Sequence, residues 1–218
     1  MALDAIHRYL SGHGDLPAQS VAITLDDGFE DNCRNALPIL NRRGMLAMVC
    51  LVSGAKGKSN MWMHQRGFPR HTLLSWAQAR DMSRCGIAFG AHTVSHPRLP
   101  ELTATDARTE LADSKKCIED EIGPPVNRFA CPFGLYTEAA CELVRETGYA
   151  TASSNRPGFN TRDTDRYGLR RIDLLDTMTT VEDNQRVFVA TGGVRRIGKA
   201  ERASVTAGLA KEVDAVNQ

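Results

Sequence analysis

Short apolar runs alternate with amphipathic stretches along most of the chain. Residues 21–24 (VAIT) form a brief β-like run, and 32–43 follow with Ala36, Leu37 and Leu40 at helical spacing and Gly44 placed to end a helix. Residues 46–52 read as a buried strand, and 54–60 (GAKGKSN) as a polar, glycine-rich loop. Ser75 and Gln78 are spaced as a capping box for a helix over 75–84, and 87–91 reads as a short strand. Residues 105–122 predict a long helix with Leu111 and Ile118 on one face, stopped by Gly123 and Pro124. A strand over 128–131, a helix over 137–147 ended by Gly148, and a strand over 149–153 complete the pattern. The β-α-β-α order predicts an α/β fold with a parallel sheet or barrel. Residues 155–168, rich in Arg, Asp and Gly, read as a surface loop, and the tail from Val194 reads as a terminal helix or a frayed end.

Composition narrows this picture. With 218 residues the chain fits a single domain over 1–218, and 42% hydrophobic with 24% charged residues is an ordinary globular balance. Lys+Arg 27 against Asp+Glu 26 leaves a formal charge of +1, too small a field to suggest nucleic acid as a partner. The apolar run from Met45 to Val52 is far short of the ~20 residues a membrane span needs. No basic start followed by an apolar stretch marks a signal peptide, so the cytoplasm is the expected location; a processed exported chain would read the same. Cysteines at 33, 50, 85, 117, 131 and 141 lack zinc-finger or CxxC spacing and read as reduced thiols. The pattern fixes no oligomeric state.

Three features fall at the same predicted place. Asp26-Asp27-Gly28 follows the first strand, His92 and His96 follow the strand over 87–91, and Cys131-Pro132-Phe133-Gly134 follows the strand beginning near Arg128. Parallel α/β folds bind ligands at the carboxyl ends of their strands, so the three loops are expected around one mouth. Two histidines at i and i+4 lie on one face of a helix or turn, and with one carboxylate they make the ligand set of a catalytic zinc site. The second carboxylate is then free to act as a general base. Taken singly, Asp-Asp-Gly is a turn, His-x-x-x-His a pair of surface or capping histidines, and Pro-Phe-Gly a turn without chemistry.

Thr24-Leu25-Asp26-Asp27-Gly28 resembles the T-F-D-D-G motif of the polysaccharide deacetylase family (NodB homology domain, carbohydrate esterase family 4). His92-Thr93-Val94-Ser95-His96-Pro97 resembles its H-[ST]-x-x-H-P motif, and Phe129-Ala130-Cys131-Pro132-Phe133-Gly134 the F-A-Y-P-F-G variant of its third motif. Order and spacing agree over roughly residues 21–173. The resemblance implies a distorted (β/α) barrel with fewer than eight parallel strands, and a metal-dependent hydrolase removing acetyl groups, usually N-acetyl from amino sugars. It places the base on Asp26, the metal ligands on Asp27, His92 and His96, and a backbone oxyanion donor on Phe133, with Pro132 holding that loop and Cys131 beside it in the substrate-binding motif. The implied cofactor is a divalent metal, zinc first, with cobalt, nickel or manganese as alternatives, and the implied partner is a carbohydrate.

Two departures from the family pattern stand out. The third-motif position where many members carry Arg is Ala130; Arg128 lies two residues earlier on the same strand face and reads as a surface cation, while Arg171, in Leu169-Arg170-Arg171-Ile172, resembles a late Arg-Ile element of members carrying F-A-Y-P-F-G, and that resemblance makes it the better candidate to orient Asp26. No histidine follows His96, so the usual general acid has no counterpart; His64 and His71 precede the second motif and read as loop or core residues. Trp62 and Trp76 are candidate sugar platforms, and Cys131 stands where the family has Tyr. Three other readings compete: a catalytically silent carbohydrate-binding relative, an O-acetyl esterase on the same scaffold, and a two-His, one-carboxylate iron oxygenase. The intact Asp26, Asp27, His92 and His96 favour the hydrolase.

Overall fold

The computed structural model describes residues 3–17, 20–55, 57–135, 137–174 and 185–190; the tail from Val194 lies outside the described residues. Helix α1 (Leu3–Leu10) precedes strand β1 (Ser20–Leu25). A wide turn, Asn32–Ala36, runs into α2 (Leu37–Arg42), followed by β2 (Ala47–Leu51), α3 (Met61–His64), α4 (Trp76–Arg84) and β3 (Ala88–Ala91). Then come α5 (Ala104–Ile122), β4 (Arg128–Ala130), α6 (Glu138–Glu146), β5 (Thr151–Ser153), β6 (Ile172–Leu174) and β7 (Gln185–Ala190). No helix among the described residues is long and apolar enough to cross a membrane.

The helix ends follow the local sequence. Ser75 and Gln78 form the capping box of α4: the Ser75 hydroxyl accepts from the Gln78 N–H, and the Gln78 amide oxygen accepts from the Ser75 N–H at 2.8 Å. Thr103 and Thr137 cap α5 and α6 through their hydroxyls, and Gly123, at φ 101°, ends α5.

The described strands form one sheet in the order β5-β4-β3-β2-β1-β7-β6. The five strands β1 to β5 pair in parallel, with Leu25 opposite Val49, Leu51 opposite Ala91 and Ala91 opposite Phe129. Strand β7 runs antiparallel to both β1 and β6, from Leu25–Gln185 to Ser20–Ala190 along β1. Side chains alternate across this sheet as strand geometry requires. Ile23, Leu25, Val49, Leu51, Phe89, Ala91 and Phe129 pack outward against Leu40, Met82, Leu111, Ile118 and Val144 of the helices. The inner face is lined by smaller side chains, with Met48, Cys50 and Ala130 in one cluster and Ala22 packed on Ile6 and Leu169 in another. Gly90 belongs to that inner layer: a Cβ there would stand 3.1 Å from Cys50 Sγ and 3.2 Å from Met48 Sδ.

Beyond β5 the chain turns back beside it. Ala152 N–H donates to Arg166 O, Leu169 N–H to Ala152 O and Ser154 N–H to Leu169 O, all at 2.9–3.0 Å. This stretch leads directly into β6, so the sheet curls into a half-barrel whose two edges are brought together by residues 166–174. The expected barrel with fewer than eight parallel strands is thus present. The antiparallel pair β6–β7 is an addition that the β-α alternation does not announce.

Candidate active site

Loops leaving β1, β3 and β4 meet at the carboxyl end of the parallel strands. Among the described residues, four non-glycine residues have positive φ, and all four lie in these loops: Asp27 (68°), Thr93 (68°), His96 (61°) and Phe133 (56°). Backbone held in that region costs ~1–3 kcal/mol per residue and persists only where its surroundings enforce it.

The first loop separates the two aspartates. Gly28 N–H donates to Asp26 O at 2.8 Å across Asp27, a three-residue turn that sends consecutive side chains in different directions. Asp26 points into the barrel, where Arg171 grips it with two parallel bonds, Nη1 to Oδ1 at 2.8 Å and Nη2 to Oδ2 at 2.9 Å. Arg171 is fully buried and also donates through Nε to Ser154 O at 3.0 Å and through Nη1 to Thr24 Oγ1 at 3.3 Å. Burial pushes the guanidinium pKa down, but the Asp26 carboxylate more than reverses this, so Arg171 holds its charge more firmly than an ordinary arginine. The closing stretch is itself pinned by Asn160, which exchanges two 2.8 Å bonds with the Arg170 backbone.

Asp27 points instead to the histidines. Its Oδ1 lies 3.4 Å from His92 Nε2 and 3.2 Å from His96 Nε2, and the two Nε2 atoms are 3.1 Å apart. All three side chains are buried. His92 Nδ1 meets Ala130 O at 2.7 Å, so the neutral ring carries its proton there and offers a bare lone pair at Nε2. Burial pushes the Asp27 carboxyl up, yet the two imidazoles outweigh it and hold the group well below the usual carboxylate range. Burial also lowers the His96 pKa from 6.5, which keeps that ring neutral. Asp27 Oδ1 has no well-aligned hydrogen-bond donor among the described residues. His92 Nε2, His96 Nε2 and Asp27 Oδ1, at mutual distances of 3.1–3.4 Å, form the triangular face that a tetrahedral cation with ligand bonds of about 2.0–2.2 Å requires. The donor set therefore fits a divalent metal.

The histidine loop is not helical, as the left-handed Thr93 and His96 show. Helix α5 shapes it. Glu110 accepts from Val94 N–H at 2.7 Å, Ser95 N–H at 3.0 Å and Ser95 Oγ at 2.6 Å, while Ser114 Oγ donates to Thr93 O at 3.0 Å. Sequence reasoning missed both residues; the only signal is Ser114, a polar residue among the buried positions of an amphipathic helix. In the third loop, Gly134 N–H donates to Cys131 O and Leu135 N–H to Pro132 O, leaving the Phe133 N–H outside both bonds. Gly134 sits at φ 65° against Asn155, whose Oδ1 would be 2.2 Å from an added Cβ. The Phe133 ring meets His96 edge-on at 4.5 Å, and Trp62 of α3 stacks on His96 at 4.8 Å and 18°.

A model of the family described as polysaccharide deacetylase matches residues 13–152. The chain belongs to the polysaccharide deacetylase family. YxkH of Bacillus subtilis (strain 168), whose name places it with the polysaccharide deacetylases, is 32% identical over 159 residues, covering 73% of this chain and 53% of its own. The poly-beta-1,6-N-acetyl-D-glucosamine N-deacetylase of Staphylococcus aureus (strain MRSA252) is 24% identical over 177 residues, covering 77% of this chain and 59% of its own. The chain thus spans little more than half the length of these two relatives. Among solved structures, the Streptococcus pyogenes deacetylase PplD in complex with acetate aligns with TM-score 0.63 and 25% identity over 72% of this chain and 66% of that one. The BpsB deacetylase domain from Bordetella bronchiseptica aligns with TM-score 0.66 and 20% identity over 78% and 76%, a likeness of fold.

The structure brings Asp26, Asp27, His92, His96, Phe133 and Arg171 of this deacetylase-family chain to one mouth. It does not bring Cys131 or Pro132 there as contact surfaces. Cys131 is 1% exposed and packs in the main core, and Pro132 is buried at the start of the turn that carries Phe133. Arg128 is no surface cation: it is buried, donates to Asn127 O and lines a cavity with Met48 and Ala88, while Asp26 is served by Arg171. Trp76 packs on the core and leaves Trp62 as the aromatic wall. His71 meets Phe29 edge-on at 5.9 Å, and His64 is exposed beside Phe68 O.

Proposed function

We propose that this site is a metal-dependent deacetylase centre that hydrolyses the acetamido group of N-acetylated sugars. The observation that carries this reading is the buried Asp27–His92–His96 triangle beside the Asp26–Arg171 pair. Asp27, His92 and His96 would hold a divalent ion, zinc first, with cobalt, nickel or manganese as substitutes. Such an ion supplies Lewis acidity, making water a stronger nucleophile near neutral pH and polarising the acyl oxygen.

Asp26 is the group that takes the proton from the attacking water. Arg171 fixes both of its oxygens, so the carboxylate is aimed before substrate arrives. The Phe133 N–H donates to the oxyanion that develops on the acetyl carbonyl, and a fixed backbone donor of this kind contributes ~3 kcal/mol. Its left-handed conformation is what turns the N–H away from the bonds of its own loop. The proton taken by Asp26 is then available to the departing amine.

The test is acetate release from a panel of N-acetylated and O-acetylated sugars, with the protein stripped of metal and then reloaded with each candidate ion. Metal-restored release from the N-acetyl substrates is expected. Release from O-acetyl sugars alone would make the chain an esterase, and release from neither with metal bound would make it a binding protein.

A further inference from the structure

We propose that the mouth of this site selects an acidic saccharide, in which the N-acetylated sugar stands next to a residue bearing a carboxylate or phosphate group. This rests on the deacetylase reading above and names its substrate class.

Charge along the chain is unevenly placed. The whole molecule carries a formal +1, yet between Asp31 and Asp81 the sequence has eight Lys and Arg and no Asp or Glu. Part of that stretch overhangs the site, since Trp62 stacks on His96. Four residues further on, the exposed Arg66 guanidinium lies 5.1 Å from the centre of the Phe133 ring. From the opposite direction, two residues beyond His96, the Arg98 guanidinium lies 5.4 Å from the same ring. Phe133 is thus the shared floor for two cations brought from separate loops, and its other contact is the ligand His96 at 4.5 Å.

No described carboxylate lies within salt-bridge distance of Arg66. Arg98 pairs with Glu101 at 3.0 Å, but that side-chain pair is 47% and 64% exposed, so an incoming anion can compete for it. Glu110 holds the histidine loop, and Glu30 bonds Arg34 and Gln78. An arginine fork matches the planar carboxylate and the phosphate better than any neutral hydroxyl. An acetamido group set against the Phe133 N–H therefore places its neighbouring sugar beneath two guanidiniums.

The experiment uses the full chain loaded with zinc and three oligosaccharide probes: neutral N-acetylglucosamine oligomers, oligomers alternating N-acetylglucosamine with a uronic acid, and neutral oligomers carrying a phosphate monoester. Binding is read by tryptophan fluorescence and turnover by acetate release. Acidic probes are expected to bind about tenfold more tightly than neutral ones at low ionic strength, and less than about threefold at 0.5 M salt, where the Debye length is only a few ångströms. Arg66→Gln and Arg98→Gln should each lower the acidic-to-neutral ratio in binding and in kcat/KM; a merely structural role would change both probes alike. A preference for the uronate or the phosphate alone supports the proposal and identifies the anion. Equal or tighter binding of the neutral probe to the unmodified chain at low salt overturns it, as does a ratio untouched by both substitutions. A salt-sensitive acidic preference without acetate release from any probe supports the selectivity and sinks the deacetylase reading instead.

Discussion

Two adjacent carboxylates take different directions because Asp27 adopts φ 68° within a three-residue turn. A regular strand continuation would also have diverged them, but without setting one against Arg171 and the other against two imidazoles. Asp26→Asn is therefore expected to keep its metal while kcat falls about 10²–10⁴-fold, and Asp27→Asn to lose metal affinity; metal content by elemental analysis and acetate release check both. If Asp26→Asn loses the metal and Asp27→Asn keeps it, the roles are exchanged. The meeting of both aspartates and both histidines at one mouth was legible because short motifs at strand ends place them there. The packing of Cys131 was not legible: motif membership says a residue is near the mouth, whereas the alternation of β4 decides that this side chain, continuing the outward set of Phe129, packs in the core.

Helix α5 acts on the site through the loop that carries His92 and His96. Glu110 takes three hydrogen bonds from the loop between Thr93 and His96, among them those of the Val94 and Ser95 N–H groups. Glu110→Ala should relax the loop and cut metal affinity about 10–100-fold, the usual cost of losing a group that orients a ligand, with the helix itself little changed by circular dichroism. Such a residue escapes sequence reading because Glu110 looks like any polar position on an amphipathic helix until the loop it faces is known. The cap of α4 was legible, since Ser75 and Gln78 act on bonds within three residues, whereas the caps Thr103 and Thr137 were not named. Strands β6 and β7 were not, because a three-residue strand has no periodicity, and the antiparallel return of β7 to β1 is a long-range pairing that no local pattern encodes.

For the molecule as a whole, the site makes the metal-free protein sensitive to acid. His96 has a folded pKa below its ordinary 6.5, so as pH falls past that value the unfolded chain takes up a proton that the folded one resists. Asp27, held below its ordinary 3.8, acts in the same direction at lower pH. Stability thus rises with pH through both windows and is lost on acidification. The melting temperature of the metal-free chain should drop between about pH 7 and 5, and His96→Gln should flatten the upper part of that dependence; an unchanged slope in the variant would contradict the assignment. Metal loading should steepen the decline, because protons compete for the same ligands.

Arg171 reaches Asp26 from the stretch that brings the two sheet edges together, well downstream of every ligand. A ribosome releasing this chain in order would deliver Asp27, His92, His96 and Phe133 first, and the counter-ion of the base only later. On the deacetylase reading proposed above, a nascent chain would carry the donor triangle of Asp27, His92 and His96 before the cation that aims Asp26, and would release no acetate until the barrel had closed. Refolding in the presence of cobalt should show the same order, with the visible absorption of the bound ion appearing before acetate release. Simultaneous recovery of both signals would mean that the metal triangle itself waits for closure.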